Sequence, residues 1–340
     1  MGIALAGLLT LPVGAMEFEA PRAPAEVRSA VENHDGSLGQ GLRSVLRAAA
    51  DTVDGSLGEA SRCCLTVCAA VLAGSIARQL GGGGFSMELA CTAAVAAALL
   101  GPSETLLREG EETILQLNDY GKLLLPVMTG ALAAEGGVSA SAAMYTAAAA
   151  FNSILSAAAT RLLLPVCRMF LLLGAAYSAA GTAILEKMKH LLRWLTGWVL
   201  KLTLYLFTGF LAVTGVVSGT ADAAALKAAK LAVTGAVPVV GSILSDAAEA
   251  VLVGAGVMRS AAGVYGVLTI CALCLGPFLR IGLQYALLHA AAALCQSLDG
   301  GRSAGLVEDF SVMLGMMLAM IGTQGVMILI STVCFLKGVG

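Results

Sequence analysis

The run SVMLGMMLAMIGTQGVMILISTVCFL, from Ser311 to Leu336, contains no charged residue. A helix of roughly 20 apolar residues crosses a bilayer core, and this run exceeds that length. Its residues are apolar on every side, so it does not show the alternation of a membrane β-strand. Other apolar runs precede it at 122–135, 138–160, 162–181, 198–218, 236–257, 260–275 and 277–296, with two shorter ones at 63–80 and 86–101. Hydrophobic residues make up 58% of the 340-residue chain and charged residues 12%. Soluble domains carry about twice that charge, so a soluble surface of this size could not be covered. The expected class is all-α: a polytopic integral membrane protein with roughly six to nine apolar helices, because lipid requires each segment to pair its own backbone groups.

Several function classes are disfavoured. The formal net charge is −2 and no basic block is present, so nucleic acid is not an expected partner. Cys271 and Cys274 have redox or zinc spacing, but they lie in the apolar LTICALCLG without a second ligand pair. Buried, inert thiols are the simpler reading. The sequence has no phosphate-binding loop, nucleophile elbow or HExxH motif. No catalytic residue, cofactor or metal is expected.

Residues 1–16 read as a signal peptide or N-terminal anchor, with Val13 and Ala15 framing a cleavage site, although the basic n-region of such segments is missing. Residues 17–61 are polar. Within them Leu42, Val45, Leu46, Ala49 and Val53 recur at helical spacing, as in an amphipathic helix. The tetraglycine Gly81–Gly84 separates the two short runs of 62–101. In SETLLREGEETILQLNDY, Ser103 and Glu104 predict the start of an interfacial helix.

An internal repeat organises the rest. One gapless shift of 112 residues lays Pro126 on Pro238, Pro165 on Pro277 and Arg168 on Arg280. The expected units are 104–218 and 220–336. Each has a Pro-led apolar segment and a second Pro-led helix, so the four prolines read as helix starts or breaks. The equivalent links differ in charge. Residues 184–201 hold Lys187, Lys189, Arg193 and Lys201 against Glu186, whereas 297–310 hold Arg302 against Asp299, Glu308 and Asp309. The positive-inside rule places the first link in the cytoplasm. The asymmetry hints at inverted repeats, which would make 122–135 re-entrant.

Asp246 and Glu249 lie at i and i+3 after Pro238, on one helix face. Glu135 holds a comparable place in the first unit. A charged residue facing lipid at a helix centre costs roughly 2.5–3.5 kcal/mol. These acids therefore border a hydrated pathway, or their segment dips only far enough to reach headgroup water. Asn152, in mid-helix, reads as a residue that bonds across helices. Small residues such as Ser139, Ala143, Gly263 and Gly266 permit close packing, within one bundle or between copies in a homo-oligomer.

The second half, through VPVVGSILSDAAEAV (237–251), GPFLRIGLQYALLHAAAAL (276–294) and the Gln-Ser-Leu-Asp-Gly turn near residue 300, resembles the stage III sporulation protein AE family of endospore-forming bacteria. The first half agrees more loosely, through KLLLPVMTGALAAEGGVSASAAM and the following LLPV. The resemblance covers residues 100–340. It implies a multi-pass protein of the mother-cell membrane that engulfs the forespore. It also implies partners: other products of the stage III sporulation operon, including a secretion-type ATPase and ring-forming proteins, and a forespore partner in a channel-like complex. The family carries no agreed catalytic residues. The alternative that the residues leave open is a secondary transporter with inverted repeats.

Overall fold

The computed structural model describes residues 22–24, 27–28, 31, 38–81, 85–134, 138–213, 261–297 and 301–338. Among them every regular element is helical: α1 (Leu38–Gly81), α2 (Phe85–Ala134), α3 (Val138–Ala158), a π-helical turn (Ala159–Leu163), α4 (Leu164–Ala180), α5 (Ala183–Val213), α6 (Ala261–Ser297) and α7 (Gly301–Gly338). Among the described residues, five stretches are long and apolar enough to cross a membrane: Gly39–Ala77, Glu88–Thr129, Thr146–Ala180, Gly263–Ser297 and Gly301–Cys334. These support the membrane class. The second unit's counterparts over 214–260 lie outside the described residues.

Helix α7 is the axis of the bundle. Its most apolar window is 78% buried by the protein, whereas that of α1 is 28% buried. The run without charge is therefore covered mostly by other helices, with α6, α2, α4, α3 and α5 packed around it. Close contacts set the directions. Gly110 faces Met317 and Gly121 faces Ile328, so α2 runs parallel to α7. Gly315 faces Tyr285 and Gly325 faces Cys274, so α6 runs antiparallel to it.

Several expected boundaries are not helix ends. Helix α1 continues from the amphipathic stretch into the apolar run at 63–80, with Val45 and Ala49 buried and Leu46 turned outward. The 50-residue α2 joins the run at 86–101, the polar 103–120 segment and the start of the next apolar run in one rod. Ser103–Glu104 is therefore mid-helix, and Pro102 and Pro126 are interior prolines. Each proline removes one backbone bond and crowds the carbonyl one turn back, at a cost of about 3 kcal/mol. Leu99, Leu106 and Leu107 flank Pro102, and Leu124, Leu125 and Met128 flank Pro126, all buried in one core. That packing on both sides outweighs the local cost and carries the helix through.

Pro277 is likewise interior, within α6. Pro165 is different: it sits in the first turn of α4, directly after the π turn. The wider π turn accommodates the proline's missing donor and bulky ring. Pro238 lies outside the described residues.

Helix α4 ends at Gly181, whose φ of 67° lies in the left-handed region and whose N–H bonds the Tyr177 carbonyl at 2.7 Å. A Cβ added there would stand 2.6 Å from the Arg302 guanidinium. Ser178 Oγ also donates to the Arg302 carbonyl at 3.4 Å. The α4–α5 turn and the start of α7 therefore meet at one end of the bundle. This corrects the inverted arrangement: the two compared links share an end, so the hairpins α4–α5 and α6–α7 point the same way. Gly181→Ala is expected to lower stability by about 1–2 kcal/mol through the left-handed strain alone, read as a lower thermal midpoint in detergent.

Candidate functional site

Several buried polar groups along α7 stand where a neighbouring helix supplies a complement. An unmatched charge or amide in an apolar core is costly, so partners are the rule.

The upper rung is an ion pair. Lys189 Nζ of α5 lies 2.8 Å from Asp309 Oδ1 and 2.6 Å from Oδ2. The two side chains are only 12% and 10% exposed. The ammonium also sits 4.7 Å from the centre of the Tyr177 ring on α4, a favourable cation–π placement. Gly174 makes room, since a Cβ there would come within 2.6 Å of Asp309 Oδ2. Nearby, Ser311 Oγ lies 3.5 Å from His289 Nδ1, and His289 stacks on Tyr285 with ring centres 5.7 Å apart.

The lower rung is a chain of amides. Gln324 Nε2 of α7 donates to Asn152 Oδ1 of α3. Asn152 Nδ2 donates to Asn118 Oδ1 of α2 at 3.2 Å. All three side chains are buried. Gln324 Oε1 is buried with no hydrogen-bond partner among the described residues. The approach of α2 and α3 needs Gly121, where a Cβ would stand 2.8 Å from Asn152 Nδ2.

Between the rungs, two arginines reach the polar segment of α2. Arg168 of α4 pairs with Glu104 at 3.0 Å. Arg280 of α6 pairs with Glu109 at 3.1 Å and with Glu59 of α1 at 3.5 Å. Glu109 Oε2 faces Arg280 at ion-pair distance but outside hydrogen-bond geometry. These are the two arginines that the 112-residue shift superposes. Below Arg280, a cavity of about 240 Å³ lies between α1, α2 and α6, lined by Thr52, Glu109, Gln116, Leu273 and Pro277 among others. Pro277 has no N–H to offer the Leu273 carbonyl, so that oxygen lacks its helical donor beside the cavity.

Of the candidate residues, Asn152 is central: it joins three helices. Glu135, Asp246 and Glu249 lie outside the described residues. Pro126, Pro165 and Pro277 are placed as above. The structure adds Lys189, Asp309, Asn118 and Gln324. Gln324 was visible as a large polar side chain inside the 311–336 run. Lys189 and Asp309 were visible only as charges within links. Cys274 packs against Gly325, where an added Cβ would meet its sulfur at 2.9 Å. No group of three or more metal-ligating side chains occurs among the described residues.

The family model for stage III sporulation protein AE matches residues 84–338. The chain belongs to the stage III sporulation protein AE family. The match starts at α2 and takes in both rungs, so the lysine–aspartate pair and the amide chain lie within the family region. A curated relative, stage III sporulation protein AE of Bacillus subtilis (strain 168), is 22% identical over 190 residues, covering 56% of this chain. The match spans about half of that relative, 48% of its length. No solved structure matches the AE-family chain.

Proposed function

We propose that this chain is a non-enzymatic membrane subunit of a channel-like complex joining mother cell and forespore during endospore development. Family membership over residues 84–338 carries the reading. The five membrane-length apolar stretches are consistent with it. In this reading the protein resides in the mother-cell membrane around the forespore and contacts other stage III sporulation operon products and a forespore partner. It supplies a rigid helical wall rather than a reaction centre. The rungs along α7 fix the register of the helices, and Asp246 and Glu249 face the hydrated side of the complex. The transporter alternative loses its inverted-repeat basis, because the Arg302 contacts bring both links to one end.

The test is the double variant Asp246→Asn with Glu249→Gln in the source organism. Spore yield is expected to fall at least about tenfold, with the membrane level of the protein unchanged. Normal spore yield at normal protein level rejects the hydrated role of the two acids. A fluorescent fusion that spreads over the membrane of growing cells, instead of appearing on the engulfing membrane after asymmetric division, rejects the sporulation-channel reading itself.

A further inference from the structure

The two rungs act as depth marks. Lys189 lies on the upper one, and Phe207 packs at 5.6 Å on Phe151, the neighbour of Asn152 on the lower one. From Asp309 to Gln324 α7 rises about 22 Å, and from Lys189 to Phe207 α5 rises about 27 Å, both within the ~30 Å hydrocarbon thickness of a bilayer. Over that rise α5 exposes Leu191, Trp194, Trp198, Leu202, Tyr205 and Leu206. The stacked indoles of Trp194 and Trp198 lie nearer the Lys189 end, where Lys187 and Arg193 are also exposed. This is the order of an interfacial belt followed by a lipid-facing surface.

The opposite side of the bundle does not match. Helix α2 crosses the same depth, fixed by the Glu104–Arg168 pair, the Gly110–Met317 approach and the Asn118–Asn152 bond. Between the rungs it exposes Arg108 (72%) and Glu112 (62%), while Asp119 (69%), next to Asn118, stands at the lower rung. Next to it, α1 exposes Glu59, which reaches Arg280, and one to two turns away Asp54 and Asp51. Arg108 and Glu112 form a loose pair at 3.8 Å, and Lys122 holds Asp119 at 2.8 Å. Even so, each charged side chain facing lipid at this depth carries a cost of roughly 2.5–3.5 kcal/mol. Several of them on one face make lipid an unsuitable neighbour.

We propose that the α1–α2 face bearing Asp51, Asp54, Glu59, Arg108 and Glu112 borders water at membrane depth, as the wall of an aqueous cleft open to small hydrophilic solutes and ions. Helix α5 is the lipid-facing side of the same bundle. The proposal rests on the reading of the chain as a membrane subunit of a channel-like complex, and it assigns the wet wall within that reading.

The test uses single-cysteine substitutions in the full chain in native membrane vesicles, with the unsubstituted chain as the labelling background. Glu112→Cys and Arg108→Cys probe α2, Leu202→Cys and Leu206→Cys probe α5, and Lys187→Cys marks the interface. Two reagents are compared: a small charged maleimide and a polyethylene-glycol maleimide of several kilodaltons. The α2 cysteines are expected to react with the small reagent at least about tenfold faster than the α5 cysteines, because the reactive thiolate hardly forms in lipid. They are also expected to resist the large reagent, which labels Lys187→Cys. Two results overturn the proposal. If the α2 positions are as inert as Leu202→Cys and Leu206→Cys, the face meets lipid. If they take the large reagent as fast as Lys187→Cys, the bundle is inclined and the polar part of α2 lies outside the membrane. A fusion found across growing cells would reject the sporulation reading and leave this labelling pattern standing.

Discussion

Asp309→Ala should lower the stability of the bundle by about 3–5 kcal/mol, the usual cost of removing one partner of a buried ion pair. Lys189 would keep its charge inside the packing, with the face of the Tyr177 ring as its remaining complement. Native domains hold only about 5–15 kcal/mol in all, so the steady-state level in the membrane should fall several-fold and the thermal midpoint in detergent should drop. Lys189→Ala should do nearly as much, since it leaves a buried carboxylate at the position Gly174 keeps open. The double variant Lys189→Met with Asp309→Leu should recover most of the loss, because an apolar pair of similar volume often matches a buried ion pair. If Asp309→Ala is as stable as the parent, the pair does not hold α5 to α7.

Asn152→Leu is expected to rank second. It removes both bonds of the amide chain and leaves the Asn118 carbonyl and the Gln324 amide buried without those partners. Side-chain hydrogen bonds between membrane helices are worth about 0.6 kcal/mol on average and about 1.7 at most. Two of them plus the orphaned groups give a loss of about 1–3 kcal/mol. Gln324→Leu should cost less, because it breaks one bond and also removes Oε1, which has no partner among the described residues. Thermal midpoints of the two variants in one detergent check the order. Equal losses, or a larger one for Gln324→Leu, contradict the bond chain as described.

The membrane class was legible in the chain because it depends on composition and run length, which tertiary structure does not alter. The rod of α2 was not. Pro102, Pro126 and the charges of 103–120 all signal an ending, and only packing on Leu99, Leu107, Leu124 and Leu125 overrides them. The polar rungs were half legible. Asn152 and Gln324 are large polar side chains inside apolar runs, a pattern that singles out cross-helix bonding. Lys189 and Asp309 looked like solvated link charges, since nothing local indicates that helices α5 and α7 begin early enough to bring both into the packed part of the bundle. Arg168 and Arg280 were noticed as a matched pair, but their partners Glu104 and Glu109 are long-range contacts that one sequence does not announce.

The π turn at Ala159–Leu163 has a consequence for rotational phase. A π turn holds one residue more than an α turn, so everything after it is rotated by about 100° relative to an unbroken helix with 3.6 residues per turn. Asn152, before the turn, addresses α2 and α7; Arg168 and Gly174, after it, address Glu104 and Asp309 only because of that rotation. The superposed stretch of α6 passes its own proline as uninterrupted α-helix. Letters that align without a gap across the two prolines therefore do not point to corresponding sides of their helices. Removing one residue from 159–163 should therefore leave a plain α-helix that still presents Arg168 and Gly174 to their neighbours, whereas removing one residue elsewhere in the rod would turn its second half by about 100° and disengage it, as one missing tooth disengages a gear.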